Sequence, residues 1–398
     1  DSGDTNCRVC RPVWHKKWNF FVVFLYNIFA CEIKNINVVM GYLRIAAVCA
    51  AFLLCSATAS AQRFLWNVDF DFKFDNKEYA DVEHDASVTN FTARLTPQIG
   101  LGWGRGNALM VGVDFLNDMG RNTYVAREMI VYYKYQDDRF GVYFGRFPRR
   151  NLIGTYSNAF FSDYISYYDS NLDGLMGQYT GSHGYVELVL DWNSMLVGDQ
   201  REKFSIFSAG RLNYGAFYGG YNARMYHHAG SETVRGVVDN ILIYPFAGAD
   251  FTHYLPQFSA LYFQVGWLQT FQNDRAYVGR YVTPGGIQLE ARVERWGFGI
   301  YNSLYLGGNL MPYYESTVAG QPAYGQGLYT GEPFYRTDKG IYDRLEIYWT
   351  HKFLSDIALT VSAVQHYDGD GWGWQQKLEL QIYLSDRMFR NFRKPSEE

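Results

Sequence analysis

The chain has 398 residues, of which 48% are hydrophobic, 18% aromatic and 19% charged, and its formal net charge is −4. This mildly acidic balance argues against nucleic acid as a partner. All five cysteines (Cys7, Cys10, Cys31, Cys49 and Cys55) lie near the start, so the remainder cannot be a disulfide-stapled secreted domain.

The first 61 residues differ from the rest. Residues 40–61 have the parts of a secretory signal peptide: a basic residue near the start, an apolar stretch (Ile45–Cys55) and small residues before a cleavage point (Ala59–Ala61). The sequence therefore predicts export, with residues 1–39 as an upstream or non-native extension. The apolar stretch Trp18–Ala30 is shorter than the about 20 residues that a spanning helix needs.

The next stretch, FLWNVDFDFKF at residues 64–74, places an aromatic residue or valine at every even position and Asn, Asp or Lys at most odd ones. Successive side chains of a strand point to opposite faces, so this pattern predicts a β-strand with one apolar and one polar face. In a soluble sandwich the apolar face would pack into a core. In a membrane barrel it would face lipid, and the charged face would line a watery lumen.

Similar alternating runs recur along the rest of the chain, and no segment after Gln62 shows a sustained helical stripe. Each run has about the ten residues that a tilted transmembrane strand needs. We count sixteen runs: 64–75, 89–101, 108–116, 124–135, 139–147, 172–180, 184–192, 203–214, 216–226, 237–249, 258–271, 286–295, 297–306, 341–352, 357–366 and 373–384.

The connections between runs alternate in length. Those after even-numbered runs are compact, as in Gln136–Asp138 and Gly181–His183, whereas several after odd-numbered runs are long, as in Pro148–Asn171 and Gly307–Gly340. Short turns at one end and long loops at the other are typical of outer-membrane barrels, with turns in the periplasm and loops outside. The predicted fold is therefore all-β: a transmembrane antiparallel β-barrel of about 16 strands. Sixteen strands leave room for a water-filled lumen.

On these features the chain resembles the Gram-negative outer-membrane porins. The stretch GVYFGRFPRR at residues 141–150, with the strand end GRF closely followed by Pro148, loosely resembles the corresponding point in phosphate-selective porins. The resemblance implies that the connection Pro148–Asn171 is a constriction loop that folds back into the lumen, and that the barrel is a homotrimer. The chain lacks the Pro-Glu-Phe-Gly-Gly stretch of general porins and a lysine ladder suited to phosphate.

Charged residues of the constriction loop and of the polar strand faces are the candidate pore-lining residues, because such charges sort solutes by sign. Their mixed signs predict weak selectivity, and the alternative is that each simply keeps a wet wall solvated. The candidates in the loop are Arg149, Arg150, Asp163 and Asp169; those on the wall are Arg94, Asp114, Arg146, Glu187, Asp191, Arg211, Arg224, Glu290, Arg292, Glu294, Arg344, Lys377 and Glu379.

Catalysis is an alternative that requires a histidine beside a serine or a carboxylate, as in a barrel hydrolase. His366 near Asp368 and Asp370 comes nearest, but no nucleophile motif accompanies it. The run DGDG at 368–371 hints at calcium, yet a tight hairpin is the better interpretation. The sequence thus predicts a protein that is not an enzyme, with no metal and no cofactor.

The prediction as a whole is a bacterial outer-membrane porin for passive diffusion of small hydrophilic solutes or ions, in contact with outer-membrane lipid. Residues 62–384 form the barrel and residues 385–398 a periplasmic tail. The alternatives are a non-conducting surface barrel that binds a ligand or partner through its long loops and, less favoured, an outer-membrane hydrolase.

Overall fold

The computed structural model describes residues 62–120, 126–233, 236–315 and 324–386. The predicted extension, the signal peptide and most of the predicted tail lie outside the described residues. Sixteen strands form one closed antiparallel barrel, in which each strand pairs with the next and β1 pairs with β16. The sequence-based prediction of the fold is confirmed.

The strands lie within a few residues of the predicted runs, and a short helix, α1 (Asp163–Tyr168), follows β5. The strands are β1 (Arg63–Glu78), β2 (Val88–Trp103), β3 (Asn107–Asp118), β4 (Ala126–Gln136), β5 (Phe140–Pro148), β6 (Asn171–Gly181), β7 (Gly184–Ser194), β8 (Lys203–Tyr214), β9 (Phe217–His228), β10 (Val238–Asp250), β11 (Ala260–Asp274), β12 (Gly285–Arg295), β13 (Phe298–Gly307), β14 (Ile341–Leu354), β15 (Ile357–Tyr367) and β16 (Trp372–Ser385).

The first strand shows which face is apolar. Phe64 is 62% exposed on the outer surface, whereas Asp69, Lys73 and Asp75 are buried inside. Phe70 pairs across the sheet with the outward Leu95. The apolar face is therefore outside and the charged face inside, the inverse of a soluble β-protein.

The two ends of the barrel differ. Most turns after even-numbered strands have two or three residues, and only 251–259 is longer; the links after odd-numbered strands reach the length of 149–170 and 308–340. We call these the short-turn end and the long-loop end. Among the described residues no helix is long and apolar enough to cross a bilayer.

The barrel wall is interrupted where β5 and β6 approach the long-loop end. β4 pairs with β5 only from Val131 to Gln136, and β6 pairs with β7 only from Gly174 onward. Above those points β5 and β6 remain paired with each other, up to Pro148 and Asn171, but with neither neighbour. We call this place together with Arg146, the last residue of β5 that pairs with β4, the wall notch: residues 146–148 and 171–173. From it the chain turns into the lumen.

Candidate functional site

Residues 149–170, the crossing loop, span the lumen from one wall to the other. On one side Arg150 forms an ion pair with Asp69 of β1. On the other side the amide of Ser157 donates to Asn222 Oδ1 of β9 at 3.2 Å. Because β1 and β9 lie on opposite sides of a sixteen-strand ring, the loop divides the lumen into two halves.

Helix α1 of the crossing loop is fixed by an ionic cluster of Asp163, Arg344, Glu346 and Lys377. Asp163 Oδ2 accepts from Arg344 at 2.9 Å and from Lys377 at 3.0 Å, and Glu346 bonds both cations at 3.0 and 2.9 Å. Ser162 caps the helix, since its Oγ accepts from the Ile165 amide at 3.1 Å. The cluster therefore ties α1 to β14 and β16.

The last turn of the crossing loop is held by Arg94 of β2 and Asp114 of β3. Arg94 donates to the carbonyl oxygens of Tyr167 and, at 3.3 Å, Tyr168, and its Nε lies 3.1 Å from Asp114. Asp114 also accepts from Ser170 Oγ at 2.8 Å. Charge-assisted bonds of this kind are about twice as strong as neutral ones, so the loop end is firmly positioned.

The first part of the crossing loop is held by Glu187 of β7. Its carboxylate accepts from the amides of Ile153 and Gly154 at 2.9 and 3.1 Å and from the Tyr156 hydroxyl at 2.9 Å. Glu187 is 1% exposed. One buried carboxylate thus satisfies three loop donors, and it acts as an anchor.

A second loop fills the half of the lumen that lies towards the long-loop end. We call residues 308–315 and 324–340 the outer plug. Its Thr330 carbonyl accepts from the Ser162 amide at 2.8 Å, and Glu332 Oε1 accepts from the Asp163 amide at 2.9 Å. The outer plug therefore rests directly on the crossing loop.

The outer plug brings an aromatic core into the lumen. Phe334 stacks on His366 of β15 with ring centroids 4.4 Å apart, and Tyr335 packs edge-on against Tyr342 of β14 at 5.0 Å. The buried members of this core include Tyr79, Tyr305, Leu310, Met311, Tyr313, Leu328, Tyr329, Phe334, Tyr335 and Tyr342. In the long-loop half, the lumen is packed like a protein interior.

Between the described strands, two of the cavities lie below the outer plug. One of about 490 Å³ lies beside the crossing loop and is lined by Asp71, Arg94 and Asp114 among others. Another of about 950 Å³ lies at the short-turn end, and both cavities are lined by Asp69 and Arg150. The polar interior is thus concentrated in the middle and at the short-turn end.

The wall notch carries an ion pair on the outer surface of the barrel. Arg146 Nε and Nη2 both donate to the Asp173 carboxylate, and each side chain is about one third exposed, 35% and 37%. Arg146 is the cross-strand partner of Val131, which is exposed on the outer face. The prediction that Arg146 lines the lumen is therefore wrong: residue 146 falls on the outward phase of β5.

Carboxylates lie directly behind this ion pair. The Asp173 amide donates to Asp191 Oδ1 at 2.9 Å, and Asn171 Nδ2 donates to Glu128 at 2.9 Å and to Asp114 at 2.8 Å. A cavity of about 470 Å³ beside Asp173 and Gly174 is also lined by Trp192 and Met195, which are exposed on the outer surface. The notch is thus a polar site that opens towards the surroundings of the barrel.

The other candidate pore-lining residues lie in different parts of the barrel. That they determine the path of a solute remains a prediction. Arg149 pairs with Asp169 at 2.8 Å within the crossing loop, and Glu379 lies 3.3 Å from Lys73. Away from the crossing loop lie the Arg211–Asp250 pair at 3.2 Å, the Arg292–Glu294 pair at 3.0 Å, and Glu290, which accepts from Gln264 at 2.9 Å. Arg224 is described below.

Three residues of these ion pairs and loop contacts, Glu346, Asp173 and Glu332, are not among the candidates predicted from the sequence. Glu346 lies two residues from Arg344 on the same strand face, so the alternation could have revealed it. Asp173 and Glu332 carry no such signal, because the inward turn of the loop and the position of the plug place them.

The histidines do not form a recognisable hydrolase site among the described residues. His366 Nδ1 lies 2.9 Å from the Tyr342 hydroxyl, but the ring is 1% exposed within the aromatic core. Ser182 Oγ lies 2.8 Å from His183 Nδ1, but these neighbours occupy an exposed turn at the short-turn end. No group of three or more His, Cys, Asp or Glu in the described ranges is arranged to hold a metal ion.

Two carboxyl groups at the contact between loop and plug have opposite pKa shifts. Burial alone would raise the pKa of Asp163, but the cations of Lys377 and Arg344 outweigh it and hold that pKa well below its usual range. Burial and the neighbouring Asp163 carboxylate raise the pKa of Glu332. The stability of the contact between the crossing loop and the outer plug therefore depends on pH.

These features define a closed sixteen-stranded barrel of the outer-membrane type, with a lumen closed by two loops and a polar notch in its wall. A family model described as lipid A 3'-O-deacylase-type matches residues 58–391, and the chain belongs to this family. No curated protein matches the chain.

Several solved outer-membrane barrels share the architecture. OprB of Pseudomonas putida has 9% identity and a TM-score of 0.48, with 81% of this chain and 94% of that chain covered. OprD of Pseudomonas aeruginosa has 8% identity and a TM-score of 0.46 over 83% and 98%. A loop-deletion mutant of OmpT of Vibrio cholerae has 12% identity and a TM-score of 0.46 over 81% and 99%. Similarity at this level concerns the fold alone.

Family membership corrects two predictions. The prediction that the protein is not an enzyme is wrong, because the matching family is named for an enzyme activity. The resemblance to phosphate-selective porins is wrong as a family assignment for the same reason, although the predicted closed sixteen-stranded barrel is confirmed. The physical cause is that alternation specifies a barrel without specifying what the barrel does.

Proposed function

We propose that the protein is an outer-membrane hydrolase that removes an ester-linked acyl chain from lipid A or a similar glycolipid, and that the wall notch is its site. Three features support this proposal: the family, the lipid-facing position of the notch and its polar groups. The ion pair of Arg146 and Asp173 carries the proposal, because charged groups on the lipid face of a barrel are costly and usually functional.

The position suits a lipid of the outer leaflet. In an outer-membrane orientation the long-loop end is outside, so a notch near that end of β5 and β6 lies at the depth of the outer leaflet. Met195, Leu196 and Val197, which follow β7 beside the notch, are exposed apolar residues that can contact acyl chains. Trp192 stacks on Phe204 at 5.3 Å, as in an aromatic belt at a membrane boundary.

The chemistry assigned to the notch is the addition of water across an ester. Asp173 takes a proton from water as the general base, and the water oxygen attacks the acyl carbonyl carbon. Arg146 stabilises the oxyanion that forms. The bond between the acyl carbon and the sugar oxygen then breaks, and the sugar oxygen receives the proton, so that a fatty acid and a free hydroxyl are the products.

The test is hydrolysis of purified lipid A by the detergent-solubilised protein, with mass spectrometry of the lipid and measurement of the released fatty acid. We expect Asp173→Asn and Arg146→Gln to lower the rate by about 100-fold or more. A matched control is Arg275→Gln, which breaks a two-pronged ion pair with Asp239 at the same end of the barrel but away from the notch. Absence of cleavage by the wild type, or equal rates in all variants, would refute the proposal.

A solute channel is the second candidate, and the cavities of about 950 and 490 Å³ favour it. A channel through this barrel requires the outer plug and the crossing loop to move. Planar-bilayer recordings separate the two candidates: a large, steady conductance of the wild type supports the channel, and a closed barrel with hydrolase activity supports the enzyme.

A further inference from the structure

Arg224 of β9 is a buried cation without an acidic partner. Its side chain lies inside the barrel, 7% exposed, and its Nε has no hydrogen-bond acceptor among the described residues. Its guanidinium donates to Thr330 Oγ1 of the outer plug, which is a neutral group. No carboxylate in the described ranges lies within ion-pair distance of Arg224.

The nearby carboxylates of Asp169 and Asp191 are engaged by other groups. Asp169 is paired with Arg149 at 2.8 Å, and Asp191 accepts from Asn193 at 2.9 Å and from a backbone amide. Arg149 lies close to Arg224, because both guanidiniums lie over the ring of Phe161, at 4.8 Å for Arg149 and 5.3 Å for Arg224. Asp169 neutralises Arg149, so Arg224 remains the cation without a carboxylate at ion-pair distance.

Burying an unpaired ion is unfavourable, and a guanidinium remains charged at every physiological pH. Proteins usually offset such a charge with a counter-ion. A small, partly enclosed cavity of about 30 Å³ lies beside Arg224. Its polar lining residues are Tyr226, Asn240, Thr270 and Tyr329, and the rest of its lining is apolar: Ala159, Leu242, Leu310, Met311 and Gly331. This volume exceeds the about 10–15 Å³ that one water requires, and it suits a single small ion.

We propose that this cavity binds one small inorganic anion, chloride, which neutralises Arg224. The cavity lies between three parts of the molecule: Arg224 on the wall, Ala159 of the crossing loop and Gly331 of the outer plug. A bound chloride therefore stabilises the closed arrangement of both loops, independently of the activity proposed for the wall notch.

The test compares thermal unfolding of the full purified chain in sodium chloride and in sodium gluconate at equal ionic strength, since gluconate is too large for the cavity. We expect the melting temperature of the wild type to be higher in chloride by about 2 °C or more. In Arg224→Gln the melting temperatures in the two salts should be equal. Arg211→Gln, which removes an inward arginine that already pairs with Asp250 at 3.2 Å, should retain it.

A second variant keeps the positive charge and fills the space. Ala159 lines the cavity, so Ala159→Val should also abolish the chloride effect. If Arg224→Gln does not fold, crystals of the wild type grown in bromide decide the question. An anomalous peak within hydrogen-bond distance of Arg224 supports the site. Equal melting temperatures in both salts, or a cavity that holds only water, would overturn it.

Discussion

Gly145 and Gly174 are cross-strand partners at the point where β5 and β6 leave the wall and turn into the lumen. Gly145 has φ of +112°, and a Cβ there would lie 2.3 Å from the Val131 carbonyl oxygen; a Cβ on Gly174 would lie 2.1 Å from the Leu190 carbonyl oxygen. Only glycine allows backbones to approach this closely. The pair sets the bend that creates the wall notch and delivers the crossing loop.

We therefore expect Gly145→Val to destabilise the folded barrel by about 2 kcal/mol, through steric overlap and an unfavourable backbone angle. The measurement is the temperature to which a sample must be heated before the band of the folded barrel disappears from a denaturing gel. Gly177→Val is the matched control on β6, because a Cβ at Gly177 meets no atom within 4 Å. Equal behaviour of both variants would contradict the proposed role of the glycine pair.

Asp163→Asn should release α1 from the wall. The substitution removes the ion pairs to Arg344 and Lys377 and leaves two buried cations facing one carboxylate, Glu346, a change that costs about 3–5 kcal/mol in a buried network. The expected results are faster hydrogen exchange in residues 149–170 and larger current fluctuations in planar bilayers.

Asp250→Asn is the control for this change, because Asp250 pairs with Arg211 at the short-turn end and does not contact the crossing loop. The role of the ionic cluster is refuted if Asp163→Asn and Asp250→Asn leave the exchange of the crossing loop equally slow.

The joint between loop and plug should be most stable at mildly acidic pH. The pKa of Glu332 is raised, so its contribution is present at low pH and is lost as pH rises through that pKa. The pKa of Asp163 is lowered, so its contribution is present above the ordinary aspartate range and is lost in strong acid. The protection of residues 328–336 from hydrogen exchange, measured across pH, should therefore fall in strong acid and also as the pH rises through the pKa of Glu332.

Glu332→Gln should abolish the decline on the alkaline side and leave the acid side unchanged. A pH profile of this variant that matches the wild type would show that Glu332 is not the titrating group.

The two faces of β1 should respond differently to an added charge. Phe70 lies on the outer face, whereas Asp71 lines the cavity of about 490 Å³. Phe70→Arg places a cation in lipid at a cost of about 2–4 kcal/mol near the membrane centre, and Asp71→Arg places it in a polar cavity. We expect Phe70→Arg to impair insertion into lipid vesicles much more; equal insertion of both variants would mean that the face assignment is incorrect.

The sequence determined the barrel because side-chain alternation is local. The run at 64–74 specifies two faces, and the closed sheet follows from repeating that pattern, since lipid leaves no partner for open strand edges. Even the weakly alternating region 203–226 formed two regular strands, β8 and β9. Connection lengths also indicated which end carries the long loops.

The sequence could not determine what occupies the lumen or where the notch lies. Asp163 and Arg344 are 181 residues apart, and their ion pair exists only because the crossing loop spans the barrel. Arg146 carries a charge like a lumen residue, but it lies on the outward phase of β5, beside Asp173. Contacts between distant segments depend on the three-dimensional path of the loops, and local periodicity carries no information about that path.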